Sequence, residues 1–301
     1  MRHLQTLIFV DAVARAGSIR KAADTLAITS TALNRRILTL EEELGVPIFE
    51  RLASGVRLST AGEILIQHIR DQLSGMERVK EQISDLEGLR RGHVAIASSQ
   101  ALLPYFLPRE IATYTAEQPG VTFSVMRRDR EAAERALLEH SADIAVVFEP
   151  VRLSEFDTLL TVRQPLHAVF GPGHPLTGTG PLRLRDCFDF PIAIPTSDYG
   201  VRHILELSMR TSSLRLAPRI QSDSFEYLRG CAHASQTVTF QIPLGVPDND
   251  IREGIARPID ERDAPVGLMQ MGQLRGRALP LAPAKFADQL ARAFAARYEC
   301  A

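Results

Sequence analysis

Ser30, Thr31, Asn34 and Arg35 bring two hydroxyls, an amide and a guanidinium into six residues. These are hydrogen-bonding groups suited to phosphate oxygens and to base edges. They lie in "ITSTALNRRILTLEEELG", residues 28–45, where Leu33, Ile37, Leu40 and Leu44 recur at helical spacing. That apolar stripe predicts a helix with one buried face, and Gly45 supplies a left-handed cap at its end. The acids Glu41 to Glu43 fall at the C-terminal end and Arg35 near the N-terminal end. The helix dipole favours the reverse, so an anion outside the chain is expected at the N-terminal end.

The elements that must position this helix are readable on both sides of it. Leu4, Phe9, Val10 and Val13 predict a first helix stopped at Gly17. Ser18 caps a second, "SIRKAADTLAI", with Ile19, Ala22, Ala23 and Leu26 on its inner face. A turn at residues 27–29 leads into the third, which makes a helix-turn-helix pattern that presents the N-terminal half of its second helix to a DNA major groove. Between residues 15 and 36, five basic residues stand against the single acid Asp24, a modest footprint for phosphate. Ile48–Arg51 and Val56–Leu58 then read as two short strands joined at Ser54-Gly55, a wing flanked by Arg51 and Arg57. Ser30, Thr31, Asn34, Arg35, Arg51 and Arg57 are therefore the candidate contacts to double-stranded DNA. Asn34 suits either a bidentate adenine contact or a phosphate.

Residues 17–62 resemble the LysR-type transcriptional regulators. The matching run is Ser18, Ala22-Ala23, Leu26, Leu40-Glu41, Leu44-Gly45, Phe49, Arg51 and Leu58-Ser59-Thr60-Ala61-Gly62. The departures cluster at the start of the recognition helix. Ser30 stands where the family often has Gln, Thr31 where it has Pro and Asn34 where it has Ser, while Arg35 matches. The resemblance implies a winged helix-turn-helix but carries over no operator sequence.

Thr60 and Glu63 form a capping-box pattern for a fourth helix. Leu65, Ile69, Leu73, Met76, Val79, Ile83 and Leu86 follow at near-heptad spacing up to Gly88, which predicts a dimerisation seam. The resemblance implies the same: two copies on a pseudo-palindromic operator, with dimers pairing into tetramers.

From His93 onward short apolar strands alternate with helices, in the order strand 93–99, helix 101–118, strand 121–127, helix 130–142 and strand 143–149. A parallel sheet flanked by helices is expected, with a second such unit beginning near residue 166. Overall the fold class is α/β. The order resembles the family's effector domain, which is similar to periplasmic solute-binding proteins. That resemblance implies two chain crossings between subdomains, near 148–162 and 260–266. The expected domains are 1–58 for DNA, 59–88 for the linker and 89–301 for the effector. Within the last, subdomain I covers 92–149 and 266–301, and subdomain II covers 162–262. Ligands of such folds bind at strand C-terminal ends. That logic places Ser98 and Ser99, and Thr196 beside Ser197, at two helix N-termini suited to a carboxylate. Phe148 and Thr239 join them as effector-site candidates.

Catalytic motifs are lacking: no G-x-S-x-G, H-E-x-x-H, P-loop or dinucleotide fingerprint is present. Cys187, Cys231 and Cys300 are far apart and form no metal or disulfide framework, so no metal and no cofactor is expected. No run of 18 apolar residues occurs, and a cytoplasmic, non-enzymatic regulator is expected. The rival reading is a cytosolic solute-binding or enzymatic α/β domain whose helical N-terminus serves only assembly.

Overall fold

The computed structural model describes residues 4–86, 91–151, 154–210 and 214–298. The chain divides into two compact units, residues 1–83 and 84–301.

In the first unit, α1 (Gln5–Ala16), α2 (Ile19–Thr25) and α3 (Ser30–Leu44) precede the hairpin of β1 (Phe49–Leu52) and β2 (Gly55–Leu58). Ser18 caps α2 by accepting the Lys21 N–H, and Gly45 ends α3 in the left-handed region with φ 72°. Val10, Val13, Ala22, Ala23, Leu33, Ile37 and Ile48 form the core. Leu40 is only partly buried and Leu44 is 46% exposed, so the expected stripe ends a turn early. The wing is held close to the helices because Val56 N–H donates to the Gly17 carbonyl at 2.9 Å. A Cβ on Gly55, whose φ is +144°, would sit 2.3 Å from that same carbonyl oxygen. No other residue fits that turn.

Helix α4 runs from Thr60 to Leu86. Its cap is Ser59, one residue earlier than the expected Thr60–Glu63 box. The Ser59 hydroxyl accepts the Gly62 N–H at 3.0 Å and donates to the Pro47 carbonyl at 2.6 Å. The first half of α4 packs on its own unit: Ile66 and Ile69 are core residues, and Leu65 and Leu73 lie against them. Arg70 adds an ion pair to Asp11 of α1 at 2.9 Å.

The second unit begins with β3 (Arg91–Ser98), α5 (Phe106–Glu117), β4 (Gly120–Arg127), α6 (Glu131–Leu138), β5 (Ile144–Phe148), β6 (Phe156–Gln164) and β7 (His167–Val169). There follow α7 (Leu184–Cys187), β8 (Ala193–Pro195), α8 (Gly200–Arg210), β9 (Ile220–Ser222), α9 (Phe225–Ala234) and β10 (Thr239–Gln241). The unit closes with α10 (Asp248–Arg252), β11 (Ala256–Pro258), β12 (Gly267–Leu274) and α11 (Leu281–Ala295). The first sheet has the order β4-β3-β5-β12-β6. Its first three strands are parallel, as expected, but β12 is antiparallel to both β5 and β6. The sheet is therefore mixed, because the returning chain inserts β12 between two strands already laid down. The first crossing is displaced as well. Strand β6 belongs to the first sheet, so the chain leaves it between Gln164 and His167 rather than within 148–162. In the second subdomain β7 pairs antiparallel with β10 and β11, and a parallel bridge from Ile192 to Val238 brings β8 beside β10.

Candidate DNA interface and effector cleft

Thr29, and not a residue of the first turn, caps α3 by accepting the Ala32 N–H at 3.2 Å. That leaves Ser30, Thr31 and Arg35 exposed on the N-terminal half of the helix. Asn34 is half-buried, and Arg51 Nη2 donates to its Oδ1 at 3.0 Å. Arg57 pairs across the wing with Glu50 at 2.7 Å. Residues 50 and 57 are directly opposed, as are 51 and 56. Arg51 and Arg57 therefore emerge on opposite faces of the hairpin, and only Arg51 meets the recognition helix. The acids at the C-terminal end of α3 have an explanation within the chain that sequence reading missed. Glu41 accepts the Ile48 and Phe49 N–H groups at 2.7 and 3.0 Å, tying β1 to α3. Those two N–H groups offset the unfavourable dipole contact.

In the second unit a cleft opens near strand ends, lined by residues other than those named from the sequence. A cleft of about 1070 Å³ opens between the loop after β4 and the segment before and into α8. Its walls include Arg127, Arg128, Asp129, Arg130, Ser197 and Tyr199. None of Ser98, Ser99, Phe148, Thr196 and Thr239 lines it. Ser98 is fully buried and its hydroxyl donates to the Ser99 carbonyl. The ring of Phe148 packs where a Cβ on Gly267 would stand, 2.2 Å from Cζ, and its N–H donates to the Ser99 hydroxyl at 3.0 Å. Thr196 is half-buried, with its N–H on the Ser222 carbonyl at 3.2 Å. Thr239 is buried in β10 and lines a separate, small enclosed space with Arg229 and Gln241.

The expected anion seat after β3 is closed. A three-residue 3₁₀ turn, Gln100–Leu102, follows the strand, and the expected helix begins only at Phe106. The Ser99 N–H is bound to the Val146 carbonyl, and the Gln100 N–H points to Asp129 Oδ1 at 3.4 Å. Asp129 also accepts the Ser99 hydroxyl, so the chain's own acid occupies the place expected for a ligand. Burial pushes the Asp129 carboxyl up to about 6 against the hydrogen bonds from Ser99 and Gln100 and the charge of Arg127, with Asp198 adding to the rise. The run "RRDR" at 127–130, charged and at a strand end, was the signal for this wall. Arg130 has φ +46° and stands at the N-cap position of α6 without a side-chain capping bond. Its Nη1 is buried with no hydrogen-bond partner among the described residues.

Residues 2–63 match the family described as "Bacterial regulatory helix-turn-helix protein, lysR family", and residues 87–295 match "LysR substrate binding domain". This chain belongs to the LysR family. It is a DNA-binding transcriptional regulator with an effector-binding domain, of a family whose members form oligomers. Curated relatives of this LysR-type regulator include the HTH-type transcriptional regulator PcaQ of Agrobacterium fabrum, 26% identical over 89% of this chain and 87% of that one. Another is the RuBisCO operon transcriptional regulator of Acidithiobacillus ferrooxidans, 29% identical over 76% and 74%. The fold is similar to full-length OxyR from Pseudomonas aeruginosa, with TM-score 0.72 and 18% identity over 97% of this chain and 94% of that one. It is also similar to full-length CbnR complexed with its target DNA, with TM-score 0.59 and 17% identity over 96% and 99%. No helix among the described residues is long and apolar enough to cross a membrane, and none of their side chains group as a metal site.

Proposed function

We propose that residues 1–58 read duplex DNA through α3 and the wing, that residues 59–88 pair two copies, and that residues 89–301 sense a small carboxylate. The observation that carries the DNA assignment is the exposed first turn of α3, capped from outside by Thr29 so that Ser30, Thr31 and Arg35 stay available. The carboxylate is assigned to the Arg127–Arg130 wall rather than to Ser98, Ser99 and Thr196. A buried guanidinium N–H without an acceptor is costly, and an anionic ligand would supply one. Pairing is assigned to the second half of α4, where Val79 and Ile83 are 45% and 52% exposed while Met76 is half-buried. The side chain of Leu86, and Gly88, lie outside the described residues. Such a regulator works beside the chromosome, in the cytoplasm, and performs no catalytic step.

Duplex binding by the full chain tests this reading. Arg35→Ala should weaken binding to every sequence, and a small carboxylate that shifts the wild-type footprint should leave that of Arg130→Gln unchanged. Unaltered affinity in the first variant removes α3 from the groove. An equal ligand response in the second removes Arg130 from the sensor.

A further inference from the structure

A second cavity, of about 320 Å³, lies in the second unit and shares no lining residue with the cleft at 127–130. Three elements each bring one guanidinium to it: Arg109 from α5, Arg252 from α10 and Arg297 from the segment after α11. Tyr105 and Tyr298, both half-buried, line it as well, and Asp248 is the one carboxylate there. These guanidiniums keep uncommitted donors. Arg252 donates through Nε to the Asp248 carbonyl at 3.3 Å and through Nη2 to Asn249 Oδ1. Arg109 meets one carboxylate among the described residues, Glu110 at 3.5 Å, which Gln289 already engages. Arg297 makes no ion pair or side-chain hydrogen bond among the described residues. The charges of Arg109 and Arg297 both reach the Tyr298 hydroxyl, so two guanidiniums converge on one phenol. Like charges gathered in this way repel, and an anion between them would remove that cost.

We propose that this cavity binds a tetrahedral oxyanion, the phosphate or sulfate group of a small metabolite, held by Arg109, Arg252 and Arg297. Guanidinium forks arriving from three elements suit an ion with oxygens on every side, whereas a planar carboxylate offers two. Burial pushes the Tyr298 phenol up, which keeps it neutral and able to donate as a further partner. Helices α5 and α11 pack on the first sheet, and α10 packs on β11 of the second subdomain. The bound ion would therefore tie the two subdomains together and give this regulator a second ligand, independent of the one assigned to Arg127–Arg130.

The test is titration calorimetry of the full chain with inorganic phosphate, sulfate and acetate, at an ionic strength held constant with sodium chloride. Phosphate or sulfate should bind with a Kd of about 1 mM or tighter, and the tighter of the two names the group. Acetate should bind at least about tenfold more weakly. Arg109→Gln and Arg297→Gln should each weaken the better ion by about tenfold or more, since each removes a charge-assisted pair. Arg297→Lys keeps the charge without the fork and should fall between wild type and Arg297→Gln. Melting of each variant without the ion checks that it folds. Failure of the wild type to bind either tetrahedral ion would overturn the proposal, and acetate bound equally well would overturn the ligand class. Binding lost in Arg130→Gln but intact in Arg109→Gln and Arg297→Gln would place the ion in the other cleft and also overturn it.

Discussion

Glu41 and Asp129 are two carboxylates whose roles depend on groups far along the chain. Glu41 holds the backbone of Ile48 and Phe49, residues seven and eight positions on. Its substitution by Ala leaves two part-buried N–H groups without that acceptor, and the DNA-binding unit should lose about 1–3 kcal/mol in denaturant unfolding. Asp129 depends on Ser99, Gln100 and Asp198. Its carboxyl ionises at about 6 in the folded protein, above the unfolded value of 3.8. The folded state therefore binds the extra proton between those two values, and stability falls as pH rises through the window. Asp129→Asn removes that slope. Its melting temperature should exceed that of the wild type at pH 7.5, and the difference should shrink toward zero at pH 4. A constant difference at both pH values would show that burial of this acid carries no such penalty. Caps such as Ser18 and Gly45 were legible in the sequence because their partners are within a turn. The closed seat at Ser99 was not, since the acid that fills it is thirty residues away, in the loop after β4.

At the scale of elements, the winged helix-turn-helix was almost wholly legible, because its helices are short, amphipathic and punctuated by Gly17 and Gly45. Strands β6 and β12 were not. "GLMQMGQL" carries two glycines, two glutamines and two methionines, none of which marks a strand by propensity, and pairing with β5 and β6 overrides that. Helix α4 was legible in length but not in the division of labour along it. Leu65, Ile69 and Leu73 follow the same spacing as Val79 and Ile83, yet the former pack on their own unit. Periodicity names a face and not the partner that covers it. Val79→Asp and Ile83→Asp should accordingly yield folded monomers in sedimentation experiments. Ile69→Asp should lower the melting temperature of the DNA-binding unit, since it places a charge in the core. Intact dimers in both of the first two variants would move the interface off this face.

On the reading proposed above, one chain joins a surface that reads a polyanion to a cleft that would take a small anion. The net charge of −1 hides the first, because the basic residues assigned to DNA lie between 15 and 57. It hides the second as well, since Arg127, Arg128, Arg130 and Arg135 share their cleft with Asp129, Glu131, Glu139, Asp198 and Glu206. Coupling between two such sites is typically about 1–3 kcal/mol, so a ligand in the cleft should change DNA affinity by about 5- to 150-fold. If the exposed basic face of the N-terminal unit neutralises phosphates, binding to a selected duplex must depend steeply on salt. Two copies making about six phosphate contacts should lose roughly a thousandfold in affinity between about 50 and 200 mM salt, with a shallower slope for Arg35→Ala. An affinity that hardly changes over that range in the wild type would contradict the account.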